Sequence, residues 1–350
     1  MLSKETILLL EDIERRIDVE TEEDYIAQWK KFLDKKFEGD IFIPERKKLS
    51  KPELEVKHIN INDALNSYDL MLRRELEGVS HSLDSEVANL AIRANYGTGI
   101  MTSMFGAEIF TMPREADTLP TTRSVNDTGW IKAKLEKGLP EVNSGFALNV
   151  FEFGEFCKEV FSKYPKIEKY VKVYHPDLQG PLDICELLWG GEMFYSMFDE
   201  PEVVHGMLNL VTDTYTMVME KWFGLYKPEE INPHWGSLWH KGTILLRNDS
   251  AMNISKDMFE EFSKPYDNRL LNHFGGGCMH FCGRGDHYSE VFSEMPMLNS
   301  INMSQPQYND MEKIYKNTVD KGIMILAFSK EWAEKDKVRE GGFNHLLSSF

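Results

Sequence analysis

The feature that most constrains the fold is an alternation of short apolar runs with amphipathic stretches, which begins near residue 91. The runs are rich in β-branched, aromatic and other apolar residues, and several of them close on Gly, Asp or Pro, as buried strands do. The clearest of them cover residues 170–175, 243–246, 278–282, 300–303 and 323–328. We therefore predict strands at these positions.

The stretches between the runs have the spacing of helices. One helix is predicted to start at Asp199-Glu200-Pro201 and to carry apolar side chains at intervals of three and four residues as far as Trp222. A second starts at Ser255 and is interrupted by Pro265. Repeated strand–helix units imply parallel strands with helical crossovers. The predicted fold class is α/β, specifically a TIM (β/α)8 barrel, with a doubly wound sheet as the alternative.

The first part of the chain has a different pattern of apolar and polar residues. Residues 1–90 are helical and polar in pattern, with breaks at Gly39, Pro44 and Pro52. We expect them to form a helical N-terminal extension packed on a barrel made by residues 91–350. The segment 341–345, which begins with two glycines, either adds a last strand or forms a loop over the barrel mouth.

Charge and hydropathy narrow the range of partners. The chain of 350 residues has a net charge of −17, which disfavours nucleic acid and anionic membranes. No apolar run approaches the ~18 residues of a membrane helix, and the run Ile7–Leu10 is too short for a signal peptide. We expect a cytoplasmic protein acting on a small molecule, and both a monomer and a homo-oligomer fit these data.

The four cysteines do not indicate a disulfide framework. Cys157, Cys185, Cys278 and Cys282 are spread along a long chain without a recognisable signal peptide. We interpret them as reduced thiols, some of which could bind metal.

Polar or reactive residues stand where several predicted strands end. In a parallel barrel these positions come together at the mouth, where catalytic groups are found. The pattern indicates an enzyme, and the residues concerned are His175, Asp177, Arg247, Asp249, His280, Cys282, Asn302 and Gln305.

The strand 278–282 is the most informative of these. Side chains alternate along a strand, so His280 and Cys282 share one face near its end. Imidazole and thiolate are both zinc ligands, and two of them leave room for a further ligand and a substrate. The competing interpretation is a hydrogen-bonded core histidine beside inert buried thiols.

A second pair with the same spacing is Arg247 and Asp249. Arg247 is either an anion anchor or half of a structural ion pair, and Asp249 either orients a ligand or is the other half. Arg284 is an anion contact or a surface residue. The glycines at 275–277 precede a strand and do not open a helix, so they indicate a loop and not a phosphate cradle.

The motifs 95–99, 105–108, 178–181 and 280–283, with the Asp249 strand between the last two, resemble in order and spacing those of the uroporphyrinogen decarboxylase superfamily. The resemblance covers about residues 90 to 330 and implies a TIM barrel. That superfamily contains true decarboxylases and methyltransferases that serve corrinoid proteins. The arginine-rich strand of the decarboxylases is absent here, and Tyr96-Gly97 stands where they have an aspartate.

The methyltransferase branch holds zinc with a His-x-Cys motif and a later cysteine, and His280-Phe281-Cys282 matches the first part. No cysteine follows Cys282, so the resemblance leaves the third ligand to Asp249, Gln305, His240 or the substrate. It implies a zinc-dependent methyltransferase acting on a small thiol or one-carbon acceptor, with a corrinoid on a partner protein.

The residues assigned to this hypothesis fall into three groups. They are the catalytic Asp249, Arg247 and His280; the substrate-binding Tyr96, Gln179, Arg284, Asn302 and Gln305; and the metal-binding His280 and Cys282. The alternatives are a metal-independent decarboxylase that uses Arg247, Asp249 and His280, and a non-catalytic barrel that binds a corrinoid or tetrapyrrole.

Overall fold

The computed structural model describes residues 2–39, 41–335 and 343–346. Several of its helices begin at polar residues that favour helix N-termini. The side chain of Ser3 caps the first helix by accepting from the N–H of Thr6, and Asp18 caps the second by accepting from the N–H of Thr21. The α-helices are α1 (Lys4–Arg16), α2 (Val19–Leu33), α3 (Ile61–Ala64), α4 (Tyr68–Ser82), α5 (Ile100–Met104), α6 (Thr128–Lys137), α7 (Gly145–Phe161), α8 (Pro165–Tyr170), α9 (Pro181–Trp189), α10 (Glu192–Asp199), α11 (Pro201–Leu225), α12 (Lys256–Phe262), α13 (Lys264–Phe274), α14 (Met311–Asn317) and α15 (Lys330–Lys335).

The strands are shorter than the helices and fall mostly in the second half of the chain. They are β1 (Ile41–Phe42), β2 (Ala91–Ile92), β3 (Glu108–Phe110), β4 (Thr121–Arg123), β5 (Lys172–Val173), β6 (Ile231–His234), β7 (Leu238–Lys241), β8 (Ile244–Arg247), β9 (Gly277–Phe281), β10 (Leu298–Met303), β11 (Met324–Ser329) and β12 (Phe343–Leu346).

Parallel pairing dominates the structure. A six-stranded sheet has the order β1-β12-β11-β10-β9-β8, with every neighbouring pair parallel, and β2 pairs with β5 in a second parallel sheet. The predicted α/β class with parallel strands is confirmed. Within the described residues the two sheets are not joined by a strand ladder, so the closed eight-stranded barrel remains a prediction. Residues 343–346 do form a strand, while Gly341 and Gly342 lie outside the described part.

A side chain bridges the space between β5 and β8. The Nε2 atom of His175 accepts the backbone N–H of Leu245 at 2.9 Å, in place of a strand-to-strand hydrogen bond. The loop after β5 also lies directly against β8, because a Cβ atom added to Gly180 would come within 2.0 Å of the carbonyl oxygen of Arg247. The smaller sheet is therefore held beside the larger one.

The large sheet has two buried faces. On one, which we call the inner face, Leu245, Cys278, Met324 and Leu326 belong to a hydrophobic cluster with residues of α2 and of the hairpin β6–β7. On the other, alternate residues such as Leu246 belong to the main core that includes the long helix α11. Burial on both faces explains why these strands are nearly continuous apolar runs.

The hairpin β6–β7 is one of the elements that the sequence patterns did not predict. Its antiparallel strands pair His234 with Leu238, and the turn between them contains Trp235 in the left-handed region at φ +50°. Strand β7 contacts β9, β10 and β11 on the inner face. The hairpin thus packs against the inner face, and its turn lies near the carboxyl ends of β8 and β9, where Trp235 contacts Arg247 and His280.

Most predicted elements lie where the sequence placed them. The helix starting at Pro201 extends to Leu225. The predicted break near Pro265 is also present, since α12 ends at Phe262 and Pro265 lies in the first turn of α13. The predicted strand 170–175 is reduced to Lys172–Val173, because Tyr170 ends α8. None of the described helices combines the length and apolar character needed to cross a lipid bilayer.

Candidate metal centre

The parallel register brings residues distant in sequence into two rows on the inner face. Arg247, His280 and Asn302 are direct neighbours on β8, β9 and β10. Side chains two residues further along point the same way. Above His280 this places Cys282, and the backbone N–H of Cys282 donates to Oδ1 of Asp249 at 2.7 Å.

Three potential ligand groups converge there. The Nε2 atom of His280 lies 3.4 Å from Sγ of Cys282 and 3.5 Å from Oδ1 of Asp249. Asp249, His280 and Cys282 each offer a ligand atom, and these atoms all lie within 4.8 Å of one another. Among the candidates that the sequence left open for the third ligand, Asp249 is the one placed beside the His-x-Cys pair.

Asn302 sets the tautomer of His280. Its Nδ2 donates to the carbonyl of Leu326 at 2.7 Å, which turns its Oδ1 toward the imidazole. The Nδ1–H of His280 donates to that Oδ1 at 2.6 Å. Nε2 is thereby left as a lone pair that faces Cys282 and Asp249. A histidine that ligates a metal commonly donates its other N–H to an oxygen in this way.

The protonation states agree with this arrangement. Burial lowers the pKa of His280, against the opposing effect of the Asp249 carboxylate, so the ring is neutral at neutral pH. Burial raises the pKa of the Cys282 thiol, with an opposing contribution from a hydrogen bond to Ser304. Without a cation the thiol therefore keeps its proton, and a bound cation would favour the thiolate.

The measured separations fit a tetrahedral cation. Zinc–ligand bonds of about 2.0–2.3 Å at tetrahedral angles place neighbouring ligand atoms about 3.5 Å apart. The two separations from His280 Nε2 are 3.4 and 3.5 Å. The Asp249 side chain is 36% exposed. The side of the cluster away from the sheet is therefore open to a substrate, as in catalytic zinc sites.

The turn that carries Asp249 is held by a buried acid. Asp183 on α9 accepts the backbone N–H groups of Asp249 at 3.0 Å and of Ser250 at 2.8 Å. Burial, reinforced by the nearby Asp249 carboxylate, raises the pKa of Asp183 to about 7. Asp183 thus anchors one ligand without contacting the cluster's open side.

Beside the three candidate ligands lies a cluster of ion-paired side chains around Asp177. Asp177 Oδ2 accepts from Arg247 at 2.7 Å and from Arg93 at 3.0 Å, and its Oδ1 accepts from Gln179 at 2.5 Å. The guanidinium of Arg247 also lies 4.9 Å from the ring centre of Trp235, and its Nε has no partner among the described residues. Asp177 thus fixes the guanidinium groups of both arginines at this edge of the site.

Other predicted site residues have different positions. Tyr96 is buried in the main core against Phe146, away from the cluster. Arg284 is largely exposed and pairs with Asp286. The Oε1 of Gln305 accepts the N–H of Gly283 at 2.6 Å, which holds the loop after β9. Among the described residues, neither Tyr96 nor Arg284 is hydrogen-bonded or ion-paired to the candidate ligands, and their roles in substrate binding stay predictions.

Two nearby residues were not found from the sequence. Arg93 directly follows β2, so the strand-end pattern that identified Arg247 could have found it. Trp235 packs edge-on against His280, with ring centres 5.1 Å apart. No local pattern indicates that contact, because the hairpin that delivers Trp235 is recognisable only once the fold is known.

Comparisons with known proteins bear on the fold. No protein-family model matches the chain, and no sequence relative was found among curated proteins. Among solved structures, a methyltransferase from Methanosarcina mazei is similar, with a TM-score of 0.58 and 14% identity over 81% of this chain and 80% of that one. At this identity the likeness concerns the fold. The chain thus has an α/β architecture that a methyltransferase also uses.

Proposed function

We propose that this protein is a zinc-dependent methyltransferase that moves a methyl group between a corrinoid and a small thiol or one-carbon acceptor. The observation that carries the proposal is the convergence of Asp249, His280 and Cys282, with the lone pair of His280 directed at the other two. The fold likeness to a methyltransferase supports the reaction class.

Each residue has a defined task. Asp249, His280 and Cys282 would hold the zinc, and Asn302 keeps His280 in the ligating tautomer. When bound, zinc lowers the pKa of an acceptor thiol that coordinates it, so that a nucleophilic thiolate is present at neutral pH. The acceptor would lose its proton to the open, solvent-facing side. Its sulfur would then take the methyl group as the cobalt–carbon bond of the methylated corrinoid breaks, with the electron pair of that bond staying on the corrinoid.

Arg247 would hold an anionic end of the acceptor. Its Nε lacks a partner among the described residues, its Nη2 is fixed by Asp177, and it neighbours His280 across the strands. An anchored guanidinium positions a ligand with less loss of side-chain freedom than a mobile one. Gln179, which donates to Asp177, belongs to the same support.

Metal analysis of the purified chain tests the proposal. We expect bound zinc in the wild type, its loss from this site in Cys282→Ala, and full retention in Cys157→Ala, whose thiol is buried in the main core. A zinc content that stays equal to that of the wild type in both Cys282→Ala and Asp249→Ala would remove the proposed site. Activity would then be assayed as methylation of thiols by a methylated corrinoid.

Turnover measured with and without zinc distinguishes the methyltransferase from the alternative functions. A metal-independent decarboxylase that uses Arg247, Asp249 and His280 predicts turnover of a carboxylate substrate after zinc is stripped by a chelator. The methyltransferase predicts that turnover disappears with the zinc and returns when zinc is restored. A non-catalytic corrinoid-binding protein predicts a bound chromophore without turnover in either state.

A further inference from the structure

A second group of potential ligands comes from the hairpin β6–β7 and from the end of β5. One of its members, His234, packs against Trp235, which also packs against His280. His175, His234 and His240 each offer a nitrogen, and these nitrogens all lie within 4.8 Å of one another. The three side chains are 6%, 1% and 0% exposed, so the cluster is buried. Buried polar atoms are normally hydrogen-bonded, and departures from that rule need an explanation.

In this cluster several buried ring nitrogens lack a hydrogen-bond partner within the described part of the chain. Neither ring nitrogen of His234 has a hydrogen-bond partner among the described residues, and neither does Nε2 of His240. The ring of His234 is 4.8 Å from that of His175 and 6.3 Å from that of His240, measured between centres. Several unpaired nitrogens therefore share one buried space.

Backbone carbonyl groups accept hydrogen bonds from two of the rings and so fix the tautomer that can bind a metal. Nδ1 of His175 lies 2.8 Å from the carbonyl of Pro176, and Nδ1 of His240 lies 3.4 Å from the carbonyl of Lys241. In each case an Nδ1–H that donates to the carbonyl leaves Nε2 as the lone pair. A histidine held in this way by its own backbone is typical of metal sites.

All three rings are neutral at neutral pH. Burial lowers the pKa of His175 to about 4 and that of His240 to about 3, and it also lowers the pKa of His234. Arg247 and Arg93 add to this effect at His175 and His234, while Asp177 opposes it at His175. Neutral imidazoles are the form that binds cations such as zinc.

One member of the cluster, His175, borders a cavity at the protein surface. His175 and Trp239 line a cavity of about 270 Å³ between β5 and the end of α11, beside the space between the two parallel sheets. Lys172 and Glu229 lie at the same cavity and pair with each other at 2.6 Å. Neither Asp249 nor Cys282 lines this cavity.

We propose that His175, His234 and His240 form a second, buried site for a transition-metal ion of the zinc and cobalt class, separate from the Asp249–His280–Cys282 site. His234 and His240 offer lone pairs that are already unpaired. His175 joins them by releasing the N–H of Leu245, which its Nε2 now accepts at 2.9 Å. The rings must also turn inward, since tetrahedral zinc–nitrogen bonds of about 2.0–2.1 Å place ligand nitrogens about 3.3 Å apart.

Metal counting distinguishes the two sites. The metal-free full-length chain is titrated with Zn²⁺ and with Co²⁺, and the equivalents retained after gel filtration are measured. We expect two equivalents in the wild type, one in Cys282→Ala and one in His240→Phe. His273→Gln, which alters an exposed histidine on α13 paired with Glu220, should retain both.

Cobalt absorption identifies which site is filled. Co²⁺ in His240→Phe should keep the thiolate charge-transfer band that Cys282 supplies, whereas Co²⁺ in Cys282→Ala should show only the weaker bands of nitrogen coordination. Zn²⁺ should raise the melting temperature of Cys282→Ala and have no such effect on the double variant Cys282→Ala/His240→Phe.

The outcomes are separable from those of the proposed function. A wild type that binds one equivalent, lost in Cys282→Ala and kept in His240→Phe, overturns the second site and leaves the methyltransferase proposal standing. One equivalent kept in Cys282→Ala and lost in His240→Phe supports the second site and removes the first. Should His240→Phe fail to fold by circular dichroism, His234→Phe replaces it with the same expectations.

Discussion

Asn302 illustrates how one uncharged side chain can control a metal ligand. Its amide is fixed by the carbonyl of Leu326 and accepts the Nδ1–H of His280. We expect Asn302→Ala to lower zinc affinity about 10–100-fold, because His280 loses the group that sets its tautomer. Competition with a chromophoric chelator measures this. Asn272→Ala, on the exposed side of α13, should bind zinc like the wild type, and equal affinity in both variants would contradict the role given to Asn302.

A second residue-scale prediction concerns Asp267, which is buried and accepts hydrogen bonds from Asn248 and Ser263. Burial raises its pKa to about 7, against about 3.9 in an unfolded chain. Its contribution to stability is therefore fully present below pH 4 and is lost as the pH rises through 7.

The measurement compares Asp267→Asn with the wild type by urea unfolding from pH 4 to pH 7. The wild type should lose stability relative to the variant by up to ~1.4 kcal/mol per pH unit across this window. The buried histidines contribute equally to the pH dependence of both proteins, so their contribution cancels when the two free energies of unfolding are subtracted. Asp257→Asn, at the start of α12, should show no such trend, and a flat difference for Asp267→Asn would disprove the assignment.

At the scale of elements, the contact between the loop after β5 and strand β8 can be tested at Gly180. A Cβ atom there would meet the carbonyl oxygen of Arg247 at 2.0 Å, so backbone must move. We expect Gly180→Ala to lower the free energy of unfolding by about 2–3 kcal/mol. Gly191→Ala, with φ −60° and nothing within 4 Å of the added atom, should be neutral or slightly stabilising. Equal urea midpoints for the two variants would show that the stability of the protein does not depend on the close contact between Gly180 and β8.

For the whole molecule, helix α2 links the N-terminal part to the sheet. Trp29 is fully buried, packs against Phe42 with ring centres 5.1 Å apart, and belongs to the inner-face cluster. We expect Trp29→Ala to cost about 3–5 kcal/mol in the free energy of unfolding. Leu139→Ala, at a side chain that is 53% exposed, should stay within about 0.5 kcal/mol. A single unfolding transition in both variants would show that α2 and the sheet unfold together.

The elements that could be predicted are those with a local signal. The run 278–282 is apolar over the length of a buried strand, and the pattern after Pro201 repeats at helical spacing, so both appear in the structure. The strand 170–175 was overestimated, because its first residues complete the turn of α8. The turn of the hairpin β6–β7 contains Gly236, but its left-handed position is occupied by Trp235, where Gly or Asn is usual.

For the site, sequence by itself determined the pairing of His280 with Cys282, since residues two apart on a strand share a face. Only the tertiary structure decided that Asp249 stands beside them, that Asn302 fixes the imidazole, and that Tyr96 lies elsewhere. The physical reason is that neighbours across a parallel sheet are set by strand order and register. These depend on the packing of whole elements and leave no trace in the spacing of residues along one strand.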